Sequence, residues 1–209
     1  MQDHETGSWW QQISGMAISG PLKGKKLAQI FHDELSFSTW KIENPGGRVL
    51  RPDPDTLRTK RYASSDWEKR VARLPVPEPL GKKDRWEPRT IVVGVIKGSS
   101  EKAYELSRVL RSGIIIDKIG TEHIALIVGE DNRSIRCFGT IVQDRPLEFF
   151  RVPDATPMRL RDSTTGSEWD FAGNALSGSL IGSRLVKIPI VKDYWFDWKN
   201  YHPDTLVYQ

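Results

Sequence analysis

The chain holds one cysteine in 209 residues, Cys137. A single thiol excludes an internal disulfide framework and any site built from several of the chain's own thiolates. Its setting, SIRCFGTIV, reads as a strand, and no histidine stands near it in sequence, so Cys137 is expected to be a buried small hydrophobe rather than an activated nucleophile. Histidine is scarce as well. His4, His32, His123 and His202 are far apart, with no i, i+4 pair for zinc. His32 and Glu34 form a His-x-Glu, but the Pro-Cys-x-x-Cys that accompanies it in zinc deaminases is missing. Neither a metal nor a cofactor is expected. Long apolar runs are missing too: GIIID and HIALIVG have strand length, well short of the roughly 18 residues of a membrane span. The opening MQDHETGSWW lacks the basic start and apolar core of a signal peptide. There is no Gly-x-Ser-x-Gly elbow to anchor a serine nucleophile. SGPLKGKK departs from a phosphate loop, because Ser19 stands at the first glycine and Lys26 at the hydroxyl position. No catalytic residue is assigned.

What is present is uneven. Residues 48–90 carry 12 Lys/Arg and 7 Asp/Glu, a net of +5, against +4 for the whole chain, and they hold six of the 13 prolines. Proline at that density interrupts both helices and sheet ladders, so 51–89 is expected to be a surface connection, extended in places. Its bases are interleaved with acids and its aromatics are sparse, which argues against a nucleic-acid strip.

Tryptophan and glycine are plentiful, 8 and 17, and they recur in register. Thr6, Gly7, Ser8 and Trp10 match Thr165, Gly166, Ser167 and Trp169 at an offset of 159. After a one-residue gap, Gly15, Ala17, Ser19, Gly20, Leu22, Gly24, Leu27 and Ile30 match Gly173, Ala175, Ser177, Gly178, Leu180, Gly182, Leu185 and Ile188. Trp40, Lys41, Pro45 and Val49 match Trp198, Lys199, Pro203 and Val207 at that second offset. Self-similarity of this kind signals a repeated structural module. Each copy is expected to run from a TGS turn into a strand bearing Trp10 or Trp169, through glycine turns, to a strand ending at Ile30 or Ile188. A short helix follows, capped by Ser36 or Asp193, with Phe37 and Trp40, or Trp195 and Trp198, on the face that packs on the sheet. GRVL or TLVY then returns as a strand. The fold class expected is α+β and β-rich, made of duplicated small strand-turn modules each closed by a short helix. The second copy is complete and the first truncated: 1–50 is the C-terminal half of a first module, 51–89 the linker, 90–209 a full second module. Met1 is therefore expected to lie inside a module.

These strings, ETGSWWQQISGMAISGPLKGKKL, TGSEWDFAGNALSGSLIGSRL and YWFDWKNYHPDTLVY, resemble the bacterial family called domain of unknown function 3179. The linking stretch is similar as well, with the Ala103-Tyr104 pair followed by a strand ending at Ile116-Asp117. The resemblance implies a frequently exported protein, extracytoplasmic at full length, with no established activity. Many members carry a Tyr-Cys-Pro-Leu-Cys motif in the first module, which suggests thiol-redox or soft-metal chemistry; this chain has no Cys-x-x-Cys, and such a site would lie upstream of Met1.

For binding, strand alternation places Trp9 and Trp10 on opposite faces, so a buried Trp10 leaves Trp9 exposed to stack on a sugar ring or anchor a protein partner. Gln11 and Gln12 beside it offer amide hydrogen bonds. Glu168 and Asp170 flank Trp169 and would share a face. The expected ligand contacts are thus Trp9, Gln11, Gln12, Glu168 and Asp170, in a non-enzymatic binding module whose partner is a carbohydrate or a protein.

Overall fold

The computed structural model describes residues 1–11, 14–28, 30, 32–51, 53–55, 64, 66–76 and 84–209, and the chain forms two compact units, Met1–His32 and Asp33–Gln209. The fold is β-rich with few, short helices, an α+β architecture of several small sheets.

In Met1–His32, strands β1 (Trp9–Trp10) and β2 (Ala17–Ser19) pair antiparallel, with a register shift between Trp9 and Trp10. Residues Met1 to Asp3 run along the other side of β1: Trp10 N–H donates to Met1 O at 2.8 Å and Asp3 N–H to Ser8 O at 3.1 Å. Trp10 is 7% exposed and Trp9 51%, as alternation along a strand requires.

In Asp33–Gln209, two four-stranded sheets pack face to face. One has the order β15 (Ile190–Tyr194), β3 (Ile91–Lys97), β4 (Ser100–Glu105), β16 (Leu206–Val207). The other has the order β14 (Val186–Ile188), β7 (Ile135–Gly139), β6 (Glu122–Val128), β5 (Ile114–Ile119). Between them lies a core of Val93, Val95, Tyr104, Ile124, Leu126, Val128, Cys137 and neighbours. The far face of the second sheet, through Ala125, Ile127 and Phe138, meets a third sheet of β10 (Phe149–Arg151), β11 (Leu160–Asp162), β12 (Glu168–Trp169) and β13 (Ala175–Ser177). β6 is thus covered on both sides, and this is why its sequence IALIV is unbroken apolar rather than alternating. A two-stranded ribbon, β8 (Ile141–Val142) with β9 (Arg145–Pro146), connects the sheets.

Four helices are described: α1 (Phe37–Glu43), α2 (Trp67–Val71), α3 (Leu106–Ser112) and α4 (Trp195–Tyr201). α3 stops at Gly113, whose φ of 70° suits glycine. α4 buries Trp195 and Trp198 on the outer face of the first sheet against Val92 and Ala103. Gly94 has no side chain because Trp198 occupies that space: a Cβ there would lie 2.1 Å from the ring. Cys137 is 2% exposed in β7, and burial pushes its thiol pKa up, the state of an inert packing group. No helix among the described residues is long and apolar enough to cross a membrane.

Four local expectations fail. Asp193 is not the cap of α4; that position belongs to Tyr194, because strand pairing of β15 with β3 continues through Tyr194 and delays the helix by one residue. Ser36 does cap α1, accepting from Thr39 N–H at 3.2 Å. α1 buries none of its residues, and Phe37, 62% exposed, stacks on Trp40 rather than on a sheet. GRVL forms no strand, with Val49 and Leu50 63% and 93% exposed, whereas Leu206–Val207 pairs parallel to β4. Ile30 is 87% exposed and lies in no strand, whereas Ile188 is 4% exposed in β14 beside β7. A strand forms where a partner edge is supplied, and apolar sequence alone does not supply one.

Candidate functional site

Each Trp turn is organised by a carboxylate. In Met1–His32, Asp3 Oδ1 accepts the Thr6 N–H at 2.6 Å, Asp3 Oδ2 accepts the Trp10 indole N–H at 2.8 Å, and Ser8 Oγ accepts the Leu22 N–H at 3.1 Å. In Asp33–Gln209, Asp162 Oδ1 accepts the Thr165 N–H at 2.6 Å, Asp162 Oδ2 accepts the Trp169 indole at 3.0 Å, and Ser167 Oγ accepts the Leu180 N–H at 3.1 Å. Gly20 and Gly178 have φ of 94° and 86°, and a Cβ on either would come within 2.7 Å of the Cα of Ser8 or Ser167. The serine and the glycine are therefore required together. The indole, more than any other group, holds the Asp3 carboxyl down at about 2, with the Thr6 amide adding to it. Burial alone would raise Asp162, but the Trp169 indole and the Thr165 amide outweigh it and the net shift is downward. Asp3 and Asp162 stand at the same offset of 159 as the Thr6–Trp10 match but precede it, so the match from Thr6 onward does not include them.

The two indoles differ in what lies against them. Trp169 is fully buried, and the Phe149 ring of β10 meets it edge-on, centroids 5.8 Å apart at 88°. Leu180 and Leu185 close the same cluster, 5% and 4% exposed. Trp10 instead lines a mostly apolar cavity of about 300 Å³ with Met1, Asp3, Thr6, Leu22 and Leu27. Leu27 there is 45% exposed.

The expected ligand contacts fall in both units. Trp9 is outward, and Gln11 accepts from the Ser14 hydroxyl; Gln12 lies outside the described residues. Glu168 is ion-paired with Arg161 at 2.5 Å. Asp170 lies past the end of β12, where it caps a turn by accepting the Asn174 N–H at 2.8 Å and its side-chain amide at 2.9 Å. The two carboxylates thus have separate partners. Among the described residues no group of three or more His, Cys, Asp or Glu is placed to hold a metal ion.

Two further polar clusters sit in Asp33–Gln209. Tyr104 donates to Asp117 Oδ2 at 2.7 Å, and Lys102 Nζ is 2.6 Å from the same oxygen. Burial first, and the Asp117 carboxylate second, push the Tyr104 hydroxyl pKa up, so it stays a proton donor. On the opposite face of β4, His202 stacks on Trp198 at 3.9 Å with Nδ1 2.8 Å from Glu101 Oε1, close enough for an ion pair though not aligned as a hydrogen bond. Nearby, burial and then Asp197 raise Asp193 to about 6, although the Tyr194 N–H and His202 pull the other way. The folded state therefore resists ionising Asp193: stability present below pH 3.8 is lost as pH rises toward 6 and stays lost above it. Asp193→Asn is expected to raise the midpoint temperature at pH 7 by about 1–2 °C, after screening of this half-exposed group, and to leave it unchanged at pH 3.5. Thermal melts of both proteins from pH 3.5 to 7.5 check it.

No curated protein and no solved structure is significantly similar to the chain. A family profile described as Protein of unknown function (DUF3179) matches residues 1–205, and with nearly the whole chain covered, the protein belongs to that family.

Proposed function

We propose that this chain is a non-enzymatic binding module built by duplication of one Trp-centred turn, in which the second copy keeps its indole pocket filled and the first offers it to a ligand. In this reading 1–50 and 90–209 are the two copies and 51–89 connects them. The matched carboxylate, hydroxyl and indole hydrogen bonds at Asp3 and Asp162 support the duplication. The observation that carries the function is the open cavity over Trp10, in contrast to Trp169, which Phe149 seals. An apolar pocket with a few fixed polar groups is the ordinary form of a ligand site. The ligand group it suits is an aromatic ring that meets the indole edge, the arrangement of Phe149 on Trp169. Trp9, outward on β1, with Gln11 close by in sequence, is a second docking surface.

The test is a titration of the ¹⁵N-labelled chain with N-acetyl-phenylalaninamide. A fragment of that size is expected to bind at about 1 mM, with shifts concentrated at Met1–Thr6, Trp10, Leu22 and Leu27. No shifts up to 20-fold higher concentration, or shifts scattered over the chain, would reject the cavity. Trp9→Ala assayed against oligosaccharides separates the two surfaces: loss of sugar binding assigns a carbohydrate to Trp9.

A further inference from the structure

Three polar side chains interrupt the apolar interface between the two sheets that pack face to face in Asp33–Gln209. Along β4, Ala103 packs outward with Trp195 and Trp198 of α4, so Lys102 and Tyr104 on either side of it face the opposite sheet. Along β5, Ile115 and Ile119 lie in that interface, and Asp117 between them shares their face. The side chains of Lys102 and Asp117 are only 14% and 17% exposed, and Tyr104 is fully buried. Such an ion pair is a poor source of stability, because the attraction between the ions is offset by the water both have lost, and apolar side chains of similar volume do as well or better. A break in the apolar pattern that brings no gain in stability marks a functional position. The geometry also leaves hydrogen-bonding capacity unused. The Tyr104 hydroxyl and Lys102 Nζ both go to Oδ2 of Asp117, at 2.7 and 2.6 Å. Among the described residues no donor reaches Oδ1, and that oxygen is not sealed from solvent. The ammonium, with three donors, rests over the rings of Tyr104 and Tyr208, 5.8 and 5.6 Å from their centroids.

We propose that Asp117 and Lys102 form a binding site for a neutral polyhydroxyl ligand, a sugar, one hydroxyl of which donates to Asp117 Oδ1 while its neighbour accepts from Lys102 Nζ. The charges of the pair cancel, so it favours neither a cation nor an anion. What it presents is an acceptor and a donor side by side, and adjacent hydroxyls, each able to donate and to accept, match that arrangement. Tyr104 is a positioning residue: by donating to Oδ2 from the buried side it leaves Oδ1 as the oxygen open to a ligand. A few fixed polar groups against an apolar wall are the usual means of orienting a small ligand, and the wall here is the core of Ile115, Ile119 and Ile124. The site is independent of the cavity over Trp10.

The probes are methyl β-D-glucopyranoside and methyl α-D-mannopyranoside, titrated into the ¹⁵N-labelled full chain to about 200 mM, with a dissociation constant of about 1–20 mM expected for ligands of this size. Saturable amide shifts are expected at Lys102, Tyr104 and Asp117 with at least one of them. The diol cis-1,2-cyclohexanediol should move the same amides, and cyclohexanol, with a single hydroxyl, should not. Lys102→Met, which keeps the stem and removes the donors, is expected to weaken binding by about 10-fold or more. Lys102→Met, Tyr104→Phe and Asp117→Leu combined leave no polar partner stranded, and the expected result is no binding with a midpoint temperature no lower than that of the unaltered chain. Absence of saturable shifts at these residues with both glycosides overturns the site, and so does undiminished binding in Lys102→Met. An equal response to cyclohexanol means an apolar contact and overturns it too. Shifts centred on Trp9 would assign the sugar to that residue and overturn this site, while the reading of Trp9 as a docking surface would stand.

Discussion

Trp169→Ala is expected to destabilise Asp33–Gln209 by about 3–5 kcal/mol, the usual cost of deleting a buried tryptophan. The ring is fully buried among Phe149, Leu160, Leu180 and Leu185, so its removal forfeits transfer energy and leaves a hole walled by β strands that cannot collapse. It also takes the indole donor from Asp162, whose carboxylate the structure otherwise holds below its ordinary range. The same change at Trp10 is expected to cost about half as much, because that indole already borders a cavity and loses fewer contacts. Urea unfolding of the two variants, with indole-independent circular dichroism as readout, measures the difference. Equal losses would mean that the pocket over Trp10 is closed in solution.

Arg136→Ala is expected to cost about 3 kcal/mol and to release α1 from the body of Asp33–Gln209. Arg136 is 3% exposed on β7, yet it is a cation; its neighbours make that burial tolerable. Its two terminal nitrogens reach Glu43 Oε1 and Oε2 at 2.6 and 2.7 Å, its Nε reaches Asp33 Oδ2 at 2.9 Å, and Phe171 lies under the guanidinium at 4.7 Å. Lys187 also approaches Asp33, at 2.5 Å. Burial alone would lower the Arg136 pKa, but Glu43 and Asp33 outweigh it and raise it. α1 buries no residue of its own, so this fork, the Thr39 hydroxyl on Asp131 at 2.9 Å and the Ser36 N–H on Ser134 at 3.0 Å are what hold it. Hydrogen exchange at Trp40 and Asn44 should rise toward the unprotected rate in the variant while β6 stays protected. Arg136→Lys keeps the charge but loses the bidentate fork, and is expected to recover only part of the loss. If exchange at α1 is unchanged in Arg136→Ala, the ion network does not hold the helix.

The β-rich α+β class and the strands of the middle layer are legible in the sequence. The run IALIV in β6 and the cysteine of β7 sit in the middle layer, where both faces are covered, and an apolar string is all such a strand requires. Alternation placed Trp10 inside and Trp9 outside because side chains of adjacent strand residues cannot share a face. The Ser36 cap needs only a hydroxyl three residues before a free N–H. The expected ligand contacts do not stand as a group: Glu168 and Asp170 look like a pair in sequence, but one is drawn to Arg161 and the other closes a turn.

Local chemistry therefore determined the glycine turns, the cap and the form of each Trp turn, since each depends on residues within one or two turns of chain. Tertiary structure alone decided the rest. The Arg136 fork joins residues 93 and 103 positions apart, GRVL and TLVY diverge because one finds a partner edge, and Trp169 is sealed by the Phe149 ring whereas Trp10 lines a cavity. Burial and pairing depend on what arrives from elsewhere in space, and no spacing within the motif encodes that.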